Sequence, residues 1–195
     1  MSDNRQRPAG ADTILRVMTQ FTLFETSLGW AAVGWNGAGL ATVRLPQSER
    51  GHVLASLRRR LPDAEEAEPP PAIAALIDDV RDLLAGGSPD FAAAPLDLSR
   101  TPEFHARVYE VARTIPPGET LTYGEVAERL GDKRLAREVG RALGKNPWPI
   151  VVPCHRVTAA GGKLGGFSAP GGAATKLKLL AIEGAQAAAP ADLFA

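Results

Sequence analysis

Between Asn146 and Val157 the chain reads Asn-Pro-Trp-Pro-Ile-Val-Val-Pro-Cys-His-Arg-Val, with prolines at 147, 149 and 153 framing a β-branched run. Each proline fixes φ and removes a backbone donor, so a helix cannot pass through this segment and a long central strand cannot cross it. Ile150-Val151-Val152 favours a pleated, buried setting. The pattern predicts a short buried strand that stops at Pro153 and delivers Cys154 into a cleft. Successive side chains of an extended strand point to opposite faces, so pairing Cys154 with His155 requires the chain to turn after Pro153.

Cys154 is the single cysteine among 195 residues. An internal disulfide is therefore excluded, a cysteine-based zinc site lacks its partners, and the usage fits a reducing cytoplasm. A lone cysteine is commonly an inert buried hydrophobe. Here it stands in Pro-Cys-His-Arg, ahead of a glycine-rich stretch over 161–172. A thiol attacks as thiolate and its ordinary pKa is about 8.5, so a nucleophile at this position needs a base or a positive charge, and His155 and Arg156 are adjacent. Composition and spacing leave the inert and the nucleophilic readings both open.

The polar leader over residues 1–13 lacks an apolar core, and no stretch approaches the roughly 20 apolar residues of a membrane span. That leader reads as disordered, with order beginning near Ile14. From Phe21 to Leu45, apolar runs are broken by Ser27-Leu28-Gly29 and by the hairpin signal Asn36-Gly37, which predicts three antiparallel strands. A helix is predicted over Ser48–Leu61 with Ser48 as its cap, then a loop over the acidic, proline-rich residues 62–71, then a helix over Pro71–Leu84. A further helical period starts at Phe104. The expected organisation is an N-terminal domain over 14–98, a C-terminal domain over 99–186 and a flexible tail over 187–195.

Lys+Arg and Asp+Glu both total 22. The balance is uneven along the chain: 10 basic and 13 acidic residues fall in 1–100, against 12 and 9 in 101–195. In the more basic half, Thr122–Leu130 and Arg134–Leu143 are two short helical segments around Gly131-Asp132-Lys133, the outline of a helix-turn-helix. Arg134, Arg137 and Arg141 fall at spacings that place them along one helix face. Such pairs are also ordinary packing units, and such a face can be merely solvated.

Val152-Pro153-Cys154-His155-Arg156-Val157, with Asn146-Pro147 and Tyr123-Gly124-Glu125 before it and Gly161-Gly162 and Ile182-Glu183-Gly184 after it, resembles the methylated-DNA–protein-cysteine methyltransferases. The resemblance covers Thr101–Gly184 closely and the earlier residues loosely. It implies an α+β protein with a ribonuclease-H-like N-terminal domain of sheet and helices and a winged-helix-like C-terminal domain. It implies a DNA repair activity in which O6-alkylguanine, chiefly O6-methylguanine with O4-methylthymine as a second substrate, is flipped from double-stranded DNA approached through the minor groove. The alkyl group passes irreversibly to Cys154, once per molecule, with no metal and no cofactor, in a cytoplasmic monomer. Base flipping is demanded by the chemistry, because a side-chain sulfur cannot reach an atom inside the stack.

By the same resemblance, His155 takes the thiol proton, Glu183 holds the imidazole and Asn146 braces the turn. Arg137 fills the space left by the base, and Tyr123 with Gly124 handles the rotated nucleotide. Backbone groups near Val157 and Ser168 read the guanine edge. Phe167 stands where many members have tyrosine, and Ala169-Pro170 lengthen the loop that closes the pocket. Two other classes fit parts of the pattern. A damage sensor that flips without reacting is opposed by the presence of Cys154. A hydrolase built on Cys154, His155 and Glu183 leaves the helix pair unused.

Overall fold

The computed structural model describes residues 18–185, so the predicted leader, the onset of order at Ile14 and the predicted tail lie outside the described residues. Strands β1 (Gln20–Thr26), β2 (Gly29–Asn36) and β3 (Gly39–Gln47) form an antiparallel meander. Alternation along β2 decides which layer each residue joins. Ala31, Val33 and Trp35 enter the main core, whereas Ala32 joins Phe21, Val53, Leu57 and Ala64 beneath helix α1 (Arg50–Arg60).

Two expectations in this half are corrected. Ser48 is not the cap of α1: the helix begins two residues later, and the carbonyl of Glu49 accepts the N–H groups of His52 and Val53 at 3.2 and 3.4 Å. The acidic segment is not wholly loop either, because Glu65–Glu66 forms strand β4, parallel to β1 at the sheet edge, giving the order β3-β2-β1-β4. Backbone bonds alone create it, from Glu65 N–H to Thr19 O at 3.1 Å and from Ala67 N–H to Phe21 O at 2.9 Å. Two exposed glutamates carry no periodicity from which such a strand could be read.

Helix α2 (Pro71–Leu84) starts with proline at its first position, where the missing N–H costs nothing, and buries Ile73, Leu76, Ile77, Val80, Leu83 and Leu84. Helix α3 (Glu103–Arg113) leads into strand β5 (Leu121–Thr122), α4 (Tyr123–Arg129) and α5 (Ala136–Gly144). Thr122 and Glu125 form a reciprocal capping box that fixes the start of α4: Glu125 N–H donates to Thr122 Oγ1 at 3.2 Å, and Thr122 N–H donates to Glu125 Oε2 at 2.6 Å. Strand β6 (Val157–Thr158) and helix α6 (Gly172–Ile182) complete the mixed α+β fold.

One continuous core runs from Phe24 and Val43 of the sheet through Val108, Ala142 and Trp148 to Leu179. Specific hydrogen bonds cross it. Pro147 O accepts from Val43 N–H and from Thr42 Oγ1, both at 2.9 Å, and Trp148 Nε1 donates to Leu40 O at 2.7 Å. The meander therefore serves as the anchor for the proline-framed segment. No helix among the described residues is long and apolar enough to cross a membrane.

Candidate active site

The predicted strand before Cys154 does not form. Residues 149–152 make a buried turn instead, with Val152 N–H donating to Trp148 O at 2.7 Å and Ile150 held at φ 76°. A β-branched residue in the left-handed region is strained, which is tolerated where surrounding packing overdetermines it, and Ile150 is only 1% exposed. β-propensity is overridden here because the prolines at 147, 149 and 153 deny the segment a ladder of donors. Pro153, at φ −78° and ψ 65°, is the centre of an inverse γ-turn closed by Cys154 N–H to Val152 O at 2.8 Å. The chain then enters a short 3₁₀ turn over Cys154–Arg156, so the change of direction after Pro153 is present, although no hydrogen bond joins the Cys154 and His155 side chains.

Asn146 spans this turn. Its Nδ2 donates to Val152 O at 2.8 Å and its Oδ1 accepts from Trp148 N–H at 2.9 Å. β6, which follows the turn directly, pairs in parallel with β5, which leads directly into Tyr123. A two-strand ladder therefore sets the distance between the cysteine turn and the helix pair.

Behind the thiol lies a buried charge cluster. His155 Nε2 is 2.9 Å from Glu183 Oε1, with side-chain exposures of 0% and 1%. Arg156 clamps the same carboxylate, Nε to Oε2 at 2.9 Å and Nη2 to Oε1 at 2.8 Å, and also donates to Ile115 O. Burial pushes the Glu183 carboxyl up, but hydrogen bonds from His155 and Arg156, with their charges, outweigh it and hold the pKa near 2. Burial pulls the His155 pKa below its ordinary value despite Glu183. A neutral imidazole beside an ionised carboxylate must carry its proton on Nε2, because a carboxylate only accepts. The lone pair is then on Nδ1, a buried atom with no hydrogen-bond partner.

Burial raises the Cys154 pKa, opposed by a hydrogen bond from Asn146 and by the charge of Lys176. The resting sulfur is thus a thiol, and no hydrogen bond joins it directly to His155 Nδ1. Lys176 is a site residue that the sequence reading missed. Its side chain is fully buried, with Nζ donating to Val157 O at 2.5 Å and lying 5.8 Å from the centroid of the Tyr123 ring. Burial pulls the ammonium down to about 8, with Cys154 acting in the opposite direction. A signal existed: Lys176 shares a helix face, at i+3, i+4 and i+7, with Leu179, Leu180 and Glu183.

In front of Cys154 opens a cleft of about 1030 Å³. Tyr123, Gly124, Arg137, Cys154, Phe167 and Ser168 all line it, together with Gly140. His155, Glu183, Asn146 and Val157 do not, and the Val157 carbonyl is occupied by Lys176. Tyr123 donates its hydroxyl to Gly166 O at 3.2 Å, tying the loop over 159–168 to α4. Gly165 permits that closure, since at φ 75° a Cβ there would stand 2.9 Å from the Tyr123 ring. Ser168 Oγ donates to Gly144 O at 2.8 Å and ties the same loop to the end of α5.

The three arginines do not share one helix face. Arg134 lies in a 3₁₀ turn before α5 and folds back on Asp132 at 2.9 Å, whereas Arg141 pairs with Glu138 at 3.4 Å. Arg137 is exposed at the cleft and has no carboxylate partner among the described residues.

Comparison with known proteins places the chain among relatives of one kind. Residues 103–185 match the family model described as 6-O-methylguanine DNA methyltransferase, DNA binding domain. The methylated-DNA–protein-cysteine methyltransferase of Mycolicibacterium paratuberculosis is 46% identical over 127 residues, covering 65% of this chain and 74% of that protein. The enzyme of the same name from Methanothermobacter thermautotrophicus is 42% identical over 121 residues, covering 62% of this chain and 66% of that protein. The crystal structure of Mycobacterium tuberculosis OGT in complex with DNA superposes with a TM-score of 0.66 at 36% identity, over 89% of this chain and 97% of that one. At these identities and coverages the chain belongs to the methylated-DNA–protein-cysteine methyltransferase family.

Proposed function

We propose that this protein repairs DNA by taking the alkyl group of O6-alkylguanine, chiefly O6-methylguanine and secondarily O4-methylthymine, onto Cys154, once per molecule. The observation that carries the reading is the unpartnered, buried Nδ1 of His155, on a ring whose other nitrogen is engaged by Glu183. The thiol proton passes to Nδ1 through an intervening water, since the two atoms share no direct hydrogen bond. The thiolate attacks the alkyl carbon, the S–C bond forms, the C–O6 bond breaks and guanine leaves as its anion, which takes up the proton held by the imidazolium. Glu183 stabilises the imidazolium, in the manner of a triad without an acyl intermediate, while Arg156 holds the carboxylate in place and keeps it ionised. Lys176 and Asn146 stabilise the thiolate. No step restores the free thiol, so each molecule acts once.

Double-stranded DNA lies against α5 and is approached through its minor groove, with the small side chains of Ala136 and Gly140 allowing close approach. The target base rotates into the cleft, Arg137 occupies the vacated stack and Tyr123 with Gly124 guides the nucleotide. Phe167 and Ser168 close the pocket, and backbone groups near Val157 and Ser168 meet the guanine edge. The sheet half is ribonuclease-H-like, supported by the meander with its added parallel strand, and the second half is winged-helix-like, supported by the α4–α5 pair. The protein works as a cytoplasmic monomer.

The test is the intact mass after mixing with excess duplex containing one O6-methylguanine, followed by peptide mapping. One added methyl, on Cys154 and stopping at one per chain, is the expected result. Unchanged mass with DNA bound overturns transfer in favour of damage sensing.

A further inference from the structure

The sheet half carries a cluster of like charges that the reaction does not use. Arg58, Arg59 and Arg60 end helix α1, and Arg44 lies on β3. Leu61 and Thr42 converge on the same point of β2, their side chains 2.8 and 3.3 Å from where a Cβ on Gly34 would lie. Arg60 precedes Leu61, and Arg44 is two residues along β3 from Thr42 on the same strand face. The end of α1 and Arg44 therefore lie on the same side of the sheet, with the charges of Arg60 and Arg59 both acting on Arg44.

Arg58 has a structural explanation: it donates to Ala64 O and stacks 4.8 Å from the Phe21 ring centroid. The other three have none. Arg59 and Arg60 are exposed, and the ion pairs among the described residues that involve arginine use Arg50, Arg81, Arg134, Arg141 and Arg156 instead. Arg44 Nε is buried with no acceptor. Burial, then the charges of Arg60 and Arg59, pull the Arg44 pKa down to about 10. A buried donor without an acceptor, set among like charges, costs stability and is relieved by a bound anion.

The cluster also sits at the seam between the halves. Thr42 and Val43, just before Arg44, bind Pro147 O, two residues after Lys145 at the end of α5. The field of Arg60 reaches Tyr109, whose hydroxyl donates to Ala142 O of α5. The end of α5, with Lys145, is thus tied to the strand that carries Arg44, on a sheet half whose overall charge is otherwise acidic.

We propose that Arg44, Arg59 and Arg60 form a phosphate-binding site for the DNA backbone, separate from the cleft and contributing affinity without sequence readout. Arginine forks suit phosphodiester oxygens, and such interactions position a duplex rather than read it. This inference rests on the DNA-binding reading above, and the test separates the two.

Binding of the full chain to a duplex is measured against salt, with and without a lesion, for the parent, Arg59→Gln/Arg60→Gln and Arg59→Glu/Arg60→Glu. Removing one arginine–phosphate interaction reduces the log–log salt slope by about 0.9, so the glutamine pair flattens it by about 1.8, and the fall in affinity between 50 and 200 mM salt shrinks roughly tenfold. The flattening is equal on damaged and undamaged duplex, and the glutamate pair binds more weakly still. Transfer from a free O6-alkylguanine base stays unchanged, since these residues do not line the cleft. Parental slopes and affinities in both variants overturn the phosphate site and leave the transfer reading intact. A parent protein with no salt-dependent duplex binding overturns both.

Discussion

His155 Nε2 lies 2.9 Å from Glu183 Oε1, and the same carboxylate takes two hydrogen bonds from Arg156. Three charged or chargeable groups thus share a site closed to solvent, which fixes both the imidazole tautomer and the acid response of the fold. The Glu183 pKa is near 2 in the fold against an ordinary 4.5. Its stabilising contribution is therefore fully present above about pH 4.5 and is lost as pH falls toward 2, a difference worth about 3 kcal/mol. Glu183→Gln leaves Arg156 buried and unpaired, so it costs about 3–5 kcal/mol at pH 7 and flattens the stability profile between pH 4.5 and 2. Urea unfolding across that range checks both effects, and a variant as stable as the parent at pH 7 would contradict the role of the clamp.

Cys154→Ala removes the acceptor and little else, because the turn is held by Asn146, Trp148 and the prolines rather than by the thiol. Duplex affinity stays within about twofold of the parent, and every trace of alkyl transfer disappears. Residual transfer, read by mass, would locate the acceptor on another side chain.

The contrast between these elements shows what the sequence could express. The β2–β3 hairpin was legible from Asn36-Gly37, and Asn36 Oδ1 indeed accepts from Ala38 N–H at 2.8 Å inside the turn. Helix α2 was legible because six apolar residues repeat at helical spacing. β4, β5 and β6 are two residues each and exist through backbone partners distant in sequence, so no local pattern announces them. Ile150-Val151-Val152 misled because β-propensity reflects packing on a pleated surface, and the prolines remove the ladder that such a surface needs. The Pro-Cys-His-Arg run drew attention to Cys154 and His155, but Lys176 looks like any helical lysine until the apolar face it shares is recognised.

Arg137 belongs to the cleft without belonging to the charge cluster behind it. Unstacking a base costs a few kcal/mol, and a side chain that fills the gap offsets part of that cost. Arg137→Ala slows transfer from duplex O6-methylguanine by roughly tenfold to a hundredfold, the equivalent of about 1.4–2.8 kcal/mol, and leaves transfer from the free alkylated base within about twofold. Equal losses on the two substrates would contradict a role in extrusion.

Lys176→Met separates stability from reactivity. In the parent, the buried ammonium has its pKa lowered from 10.5 to about 8, so its charged form is disfavoured by folding below pH 8, and that cost fades as pH rises from 8 toward 10.5. Methionine fills a similar volume without the charge, so the variant gains stability at pH 7, on the order of 1–3 kcal/mol after removal of the bond to Val157 O is counted. The same substitution removes the positive charge that opposes the rise of the Cys154 pKa, which therefore goes up further. Transfer therefore slows by tenfold or more at pH 7 and its rate profile moves to higher pH. Denaturant midpoints and single-turnover rates from pH 6 to 10 read the two effects independently. A variant that is more stable yet keeps the parental pH profile would show that Lys176 only fills the core, whereas the opposed changes follow directly from a cation held beside the sulfur at the expense of the fold.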